Sequence, residues 1–276
     1  MQKLEFSVKN EIELTKAIIN ELPFLSRFDV KKIIENKDVK VNNVRVKENV
    51  TLLKGYKVTV FYKERETQDW FNVVYVDENV LIVNKRSGIE VVSETERDLI
   101  SFLRKDYPSI KAVHRIDRNT EGLVIFALNE TSEKELLEAF KTRKGIIKKY
   151  ALLVNGRVDI TKIKRTVYLK KMDNLSKVWI SEVKTSGYDP IITEFDIIEY
   201  RADKTLLEAN LLTGKTHQIR AHISYFGYPI VGDNKYGKDK ENKLHLTANY
   251  LEFNFNKKQK LSYLKAKTFE ITPTWL

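Results

Sequence analysis

At 276 residues, with 13 Phe and 13 Tyr, the chain is long enough to bury a sizeable core, which excludes a globally disordered protein. The formal charge of +11 indicates an acidic partner, most commonly a nucleic acid, although a lysine-rich composition alone gives the same value. Because the chain has no cysteine, disulfides, thiolate zinc sites and cysteine nucleophiles are excluded.

No apolar stretch approaches the roughly 18 residues of a membrane span, and the first residues lack the apolar segment of a signal peptide. We therefore expect a soluble, cytoplasmic protein that has no membrane partner. A monomer is expected as well.

Residues 1–63 are predicted to form a separate unit with two helices and a small hairpin. Helical spacing of apolar residues covers 12–22, and Ser26 is a candidate cap for a second helix. That helix directs three basic residues outward, Arg27, Lys31 and Lys32. An Asn42-Asn43 turn then joins two short strands. With 13 basic and 8 acidic side chains, the unit suits phosphate contacts, although an ordinary solvated helix face is the commoner cause of such a pattern.

Residues 71–276, after a polar linker at 64–70, are predicted to form an α+β domain with a mixed, largely antiparallel sheet. Strands are predicted at 72–76, 80–84, 123–128, 147–154, 191–199 and 205–212, and helices at 97–105, 131–142 and 216–226. Several strands are adjacent in sequence, so the pattern is not a regular βαβ alternation. A lysine-rich, turn-rich segment at 155–188 predicts a hairpin that extends from the sheet.

The stretch HRIDRNTEGLVIFALN, which begins at His114, places one carboxylate between cations. Asp117 stands between Arg115 and Arg118, just before the apolar run at 123–128 that predicts a buried strand. Nearby positive charge favours the ionised form of a carboxylate. Such a group serves either as one half of a structural ion pair or as a nucleophile, and these residues alone leave both alternatives open.

A second stretch, LLTGKTHQIRAHISYFGYPIVGDNKYG, begins at Leu211 and contains a short predicted helix. His217 and Arg220 lie three residues apart, on one face of that helix, and Arg220 is positioned to reach Asp117. The two histidines of the stretch have no acidic third ligand at metal spacing, so no metal is expected. Its glycines and Asp233 are interpreted as loop punctuation. They do not form a strand-to-helix GxGxxG pattern, so no nucleotide cofactor is expected.

Five segments of the chain resemble the RluA-like family of pseudouridine synthases, the type that modifies large-subunit ribosomal RNA and transfer RNA. HRIDRNTEGLVIFALN is similar to that family's HRLDRxTSGLLLFAK segment. The other four are VVYVDENVLIVNKRSGIEV, KKYALLVNG, TGKTHQIRAHISYFGYPIVGDNKYG and LHLTANYLEF. They occur in the family's order and cover roughly Phe71 to Glu270. The earlier SRFDVKKIIENKDVKVNNVRVK resembles the small RNA-binding domain named for ribosomal protein S-four.

The resemblance implies an enzyme that isomerises uridine to pseudouridine in ribosomal or transfer RNA, without a cofactor or metal. It makes Asp117 the catalytic aspartate, Tyr150 the active-site tyrosine and Arg220 the base that pairs with the aspartate. The residues then expected to contact or support the substrate are His114, Arg115, Ile219, Arg27, Lys31 and Lys32. Glu121 replaces the family's usual Ser, and we expect it to alter the approach of RNA.

Two other functions remain open on the sequence. An RNA-binding protein could have kept this fold and lost catalysis, but intact Asp117, Tyr150 and Arg220 argue against it. A nucleoside-cleaving hydrolase is the more distant alternative, because glycosidases ordinarily place two carboxylates across one bond. Here Asp117 alone has the required setting.

Overall fold

The computed structural model describes residues 2–22, 25, 27–62, 70–94, 98–172, 177–238, 241 and 243–276, with the backbone alone for 27–29. The chain divides into two compact units, Met1–Asp69 and Trp70–Leu276. The predicted Ser26 cap, the Arg27 side chain and most of the predicted linker lie outside the described residues. No helix in the described ranges is long and apolar enough to cross a membrane.

The first unit combines two helices with small antiparallel sheets. Its elements are β1 (Gln2–Ser7), β2 (Ile12–Glu13), α1 (Leu14–Glu21), α2 (Arg27–Glu35), β3 (Val39–Val41), β4 (Val44–Val46), β5 (Thr51–Leu52) and β6 (Lys57–Tyr62). The strand order is β1-β6-β3-β4, with β2 paired to β5. Asn42 and Asn43 both have positive φ, 48° and 68°, which suits the right-handed twist of the predicted hairpin. Strand β1 was not predicted.

The second unit contains every strand and helix predicted for it, with ends shifted by at most two residues. Residue 97, the predicted start of the first helix, lies outside the described residues. The strands are β7 (Phe71–Val76), β8 (Val80–Lys85), β9 (Lys111–Ala112), β10 (Glu121–Ala127), β11 (Ile146–Asn155), β12 (Thr166–Lys171), β13 (Val178–Ser181), β14 (Asp189–Arg201), β15 (Lys204–Leu211), β16 (Leu246–Phe253) and β17 (Thr268–Glu270). The helices are α3 (Leu99–Leu103), α4 (Glu130–Thr142) and α5 (Gln218–Tyr225), with 3-10 turns at Ile160–Lys162 and Lys260–Leu264.

These strands form one large mixed sheet in the order β13-β12-β14-β15-β11-β16-β10-β8-β7, with β9 beside β10 and β17 beside β16. Every described pairing is antiparallel except that of β10 with β16. The α+β prediction with a largely antiparallel sheet is therefore confirmed. Strands β12 and β13 form the hairpin predicted between 155 and 188.

Strand β10 is buried on both faces of the sheet, as its continuous apolar sequence predicts. Val124 and Phe126 belong to the apolar cluster that also holds residues of α5, whereas Leu123 and Ile125 belong to the cluster beneath α4. Gly122, the second residue of the strand, has a φ of 126°, and a methyl group there would collide with the backbone of Ala248 in β16. The close parallel pair thus needs glycine.

Candidate active site

The Asp117 turn is held by a buried lysine. Lys85, at the end of β8, is fully buried, and its ammonium donates hydrogen bonds to the carbonyl oxygens of Arg86, Ile89 and Arg118. Burial lowers the pKa of Lys85 to about 7, opposed by the charges of Asp117 and Glu121. Three carbonyl acceptors match the three N–H donors of the ammonium form. Lys85 therefore ties the loop after β8 to the turn that presents Asp117.

Arg220 of α5 makes the predicted pair with Asp117. Its Nη1 lies 3.1 Å from Oδ2 of Asp117, whose side chain is 25% exposed, whereas that of Arg220 is 7% exposed. Burial disfavours the charged guanidinium, but the neighbouring carboxylates outweigh it and raise the pKa of Arg220. The guanidinium is thus a fixed cation beneath a carboxylate that solvent can reach.

Asp233 is a second partner of Arg220 that sequence analysis missed. Its carboxylate accepts Nε–H and Nη2–H of Arg220, both at 2.8 Å, and also the peptide N–H groups of Lys235 and Tyr236. Although burial opposes it, these hydrogen bonds hold the pKa of Asp233 below its ordinary value. The interpretation as loop punctuation was therefore wrong for Asp233, whereas the glycines around it do lie in a loop. Asp233 aligns the guanidinium so that its remaining Nη1 faces Asp117.

His217 forms another side of the site. It precedes α5 with a left-handed φ of 55°, and its Nε2 lies 3.8 Å from Oδ2 of Asp117. Its Nδ1 lies 3.0 Å from the hydroxyl oxygen of Tyr236, which accepts the N–H of Val178 at 2.9 Å. Burial lowers the pKa of His217 to about 4, so the ring is neutral at pH 7. A proton on Nε2 lets the neutral ring face the carboxylate, with Tyr236 donating to Nδ1.

The strained backbone of His217 is supported by its neighbour. Gln218 is buried, and its side chain accepts from the Thr213 hydroxyl and the Lys215 N–H while donating to the Ile192 carbonyl oxygen. A non-glycine residue in the left-handed region costs of the order of 1 kcal/mol or more, and such residues concentrate at functional sites. The Gln218 hydrogen bonds offset that cost.

Tyr150 of β11 lies in the same apolar cluster as Ile219 and Ile116. It is 5% exposed, more deeply buried than a half-buried strand tyrosine. Burial, and then the negative charge of Asp117, raise the pKa of the Tyr150 hydroxyl, so it stays protonated at neutral pH. Arg220 and Tyr150 are thus both near enough to Asp117 for their charges to interact, and the catalytic roles that the resemblance implies remain a prediction.

Other residues named from the sequence have different surroundings. His114 accepts the Ile125 N–H at Nε2, and its ring lies 4.5 Å from that of Phe140, so it is held against β10 and α4. Arg115 is exposed on the loop before Asp117. In the first unit, Lys31 and Lys32 are exposed on α2, and Lys31 lies 3.7 Å from Glu35.

Glu121 does not face the approach of RNA, which corrects our expectation. It is 6% exposed, and its carboxylate accepts the Thr247 hydroxyl and both the N–H and the hydroxyl of Thr274. Lys243 supplies a cation at 3.4 Å. Because a buried carboxylate needs such partners, its role is to fasten the chain end to β10 and β16.

The described residues contain no cluster of three or more histidine or acidic side chains that could hold a metal ion. His222 in α5, for example, directs Nε2 to the carbonyl oxygen of Lys164 at 2.8 Å. The arrangement around Asp117 offers an accessible carboxylate, a fixed cation, a neutral imidazole and a buried phenol. Such a set can act by nucleophilic attack or by proton transfer.

Comparison with known proteins identifies the family. The model of the RNA pseudouridylate synthase family matches residues 79–225. An uncharacterized RNA pseudouridine synthase of Mycoplasma capricolum is 34% identical, covering 89% of this chain and 88% of its own. The ribosomal large subunit pseudouridine synthase C of Vibrio cholerae is 33% identical, covering 79% and 74%.

The solved structure of human RNA pseudouridylate synthase domain containing 1 has the same fold, with a TM-score of 0.61 at 23% identity. The alignment covers 78% of this chain and 88% of that one. The family match spans more than half of the chain and includes Asp117, Tyr150 and Arg220. The chain belongs to the RluA-like family of RNA pseudouridine synthases, isomerases that act on uridines in RNA.

Proposed function

We propose that this enzyme modifies large-subunit ribosomal RNA and that Asp117 is its catalytic carboxylate. The observation that carries the proposal is the Asp117 side chain itself, 25% exposed and held 3.1 Å from the buried guanidinium of Arg220. The ribosomal substrate rests on the Vibrio cholerae relative, which is named for the large ribosomal subunit. Transfer RNA is the alternative substrate.

The chemistry is suited to one carboxylate. The isomerisation breaks the bond between N1 of uracil and C1′ of ribose and forms a bond between C5 and C1′. The proton lost from C5 is balanced by one gained at N1, so no oxidant or reductant is consumed. An ionised Asp117 attacks the sugar or the base, or removes a proton, and is regenerated when the new bond has formed.

The neighbours of Asp117 prepare this group. Arg220, aligned by Asp233, places a positive charge 3.1 Å from Oδ2 of Asp117, and neutral His217 faces the same oxygen. Tyr150 forms the wall of the uridine pocket. The target nucleotide must leave its stack to reach Asp117, at a cost of a few kcal/mol that contacts in the pocket offset.

The test compares Asp117→Asn with Asp106→Asn, which changes an exposed carboxylate outside the site. Ribosomal and transfer RNA from cells that lack the protein is incubated with each variant, and pseudouridines are mapped by carbodiimide labelling and reverse transcription. We expect new pseudouridine in large-subunit RNA with wild type and Asp106→Asn. Asp117→Asn should form none, while its RNA affinity stays within a few fold of wild type.

Three outcomes would contradict parts of the proposal. Turnover by Asp117→Asn above roughly a thousandth of wild type would exclude the catalytic role of this carboxylate. If pseudouridine formed in transfer RNA alone, the substrate would be transfer RNA and not large-subunit ribosomal RNA. Release of free uracil would indicate a hydrolase.

We also propose that the first unit binds RNA and performs no chemistry. Lys31 and Lys32 are exposed on α2, and the unit carries more basic than acidic side chains. The S-four resemblance supports the same role. Deleting residues 1–63 should leave isomerisation intact at high RNA concentration, with weaker binding and a shallower salt dependence. An unchanged salt dependence would show that this basic face is only solvated.

A further inference from the structure

Two basic side chains lie beside Tyr150 and are not used by the chemistry proposed above. Lys148 precedes Tyr150 by two residues in β11, and its Nζ lies 5.9 Å from the Tyr150 ring centroid and 5.2 Å from that of Phe140. Arg143 follows α4 with a left-handed φ of 59°. Its guanidinium packs against Gly214, where a methyl group would collide with it. Arg143 thus contacts the loop that leads into His217 and Arg220.

Neither cation has a carboxylate partner within ion-pair distance among the residues that the structure describes. Lys148 is half-buried, and burial followed by the charge of Arg143 lowers its pKa to about 7. Burial lowers the pKa of Arg143 as well. Two like charges brought together without a counter-ion are destabilising, and a bound anion would relieve the repulsion.

The adjacent residue shows the contrast. Lys149 points to the opposite face of β11, where its Nζ lies 2.8 Å from Oε1 of Glu208. Lys215 is likewise paired, with Asp189 at 2.6 Å. Arg143 and Lys148 differ from Lys149 in that no carboxylate among the described residues neutralises them next to Tyr150.

We infer that Arg143 and Lys148 form a phosphate site, which binds a backbone phosphodiester of the RNA next to the target uridine. The inference rests on the proposed function, since Tyr150 and Asp117 there define the uridine pocket. An RNA substrate presents a singly charged phosphodiester at each nucleotide. A guanidinium and an ammonium on either side of such a group supply charge-assisted hydrogen bonds. Contact with the backbone positions the nucleotide without selecting its sequence.

The first test measures RNA affinity of the full chain against potassium chloride concentration. The variants are Arg143→Gln and Lys148→Gln, with Lys149→Gln as the matched control from the opposite face. Each site variant should weaken binding by roughly three- to tenfold and remove part of the log–log salt slope of about 0.7–0.9 that one neutralised phosphate contributes. Lys149→Gln should change neither quantity. Gly214→Ala should give part of the Arg143→Gln effect, because the added methyl group displaces the guanidinium.

A second test identifies the ligand as a phosphodiester. Once the target uridine is mapped, single methylphosphonate linkages, which are neutral, replace the phosphates on either side of it. One of these RNAs should bind wild type and Lys148→Gln with equal affinity. Its neutral linkage has already removed the phosphate charge that Lys148 binds, so loss of the lysine has no further effect. Lys148→Arg should retain the wild-type response.

Unchanged salt slopes in both Arg143→Gln and Lys148→Gln would overturn the inference. It would also be overturned if Lys148→Gln weakened the binding of every methylphosphonate RNA as much as it weakens the binding of unmodified RNA. Thermal unfolding followed by tryptophan fluorescence checks that each variant is folded. These binding measurements do not depend on turnover. Failure of the wild-type protein to form pseudouridine in large-subunit RNA would instead contradict the proposed function.

Discussion

Replacing Asp233 with Asn tests whether the buried carboxylate is what holds Arg220 beneath Asp117. Asp233 has no exposed surface and binds the guanidinium through both oxygens at 2.8 Å. Asn keeps the shape of the side chain but removes its charge and one hydrogen-bond acceptor. The buried guanidinium of Arg220 then has the partly exposed Asp117 as its remaining carboxylate partner. Breaking a buried ion pair from one side typically costs about 3–5 kcal/mol. That is a large share of the roughly 5–15 kcal/mol by which domains are stable.

The expected change in melting temperature follows from the size of the catalytic unit. At about 2–4 °C per kcal/mol for a domain of some 200 residues, Asp233→Asn should melt about 6–20 °C below wild type. All three tryptophans, Trp70, Trp179 and Trp275, lie in residues 70–276. Tryptophan fluorescence during heating or urea titration therefore reports on this unit alone.

The control is Asp189→Asn, which removes an exposed partner of Lys215 and should cost at most about 1 kcal/mol. The destabilisation by Asp233→Asn should also depend on pH. Because the folded pKa of Asp233 is lowered, its contribution is present above the unfolded value near 3.9 and is lost as pH falls through the folded value. Wild type and variant should converge in acid. Equal stability of the two Asn variants at pH 7 would refute the proposed role of Asp233.

Further predictions concern Arg220, metal dependence and Lys148. Arg220→Ala should lose both activity and stability, by about 3–5 kcal/mol, whereas Arg220→Lys should be milder, as activity assays and urea unfolding will show. Pseudouridine formation should survive prolonged chelation; loss that one specific divalent ion restores on correctly folded RNA would contradict this. RNA affinity should weaken from about pH 6 to 9 as Lys148, with a pKa of about 7, loses its charge. The neighbouring Arg143, His114 and Tyr150 keep one protonation state over that range. Lys148→Arg should therefore remove the pH dependence of RNA affinity, which fluorescence anisotropy titrations at each pH will measure.

Local patterns in the sequence predicted many of the elements, but not the central strand β16 or the short strands β9 and β17. The apolar run at 123–128 predicted a buried strand, and the Asn42-Asn43 pair predicted a hairpin turn, because side-chain burial and backbone preference act over a few residues. Strand β1 was missed although Leu4 and Phe6 alternate with polar residues and pack against the apolar cluster of the first unit. The motifs around Asp117 and Arg220 also sufficed for the family.

Only the tertiary structure decided which groups surround Asp117. Asp233 and Tyr236 follow glycine in a loop whose sequence is typical of a turn, and their contacts with Arg220 and His217 exist only once α5 and that loop pack together. Glu121 begins a strand and was expected to alter the approach of RNA. It is buried because Thr274, 153 residues later, returns to donate hydrogen bonds to its carboxylate. Burial and hydrogen-bond partners of a polar side chain depend on chain segments that are distant in sequence, so local composition does not reveal them.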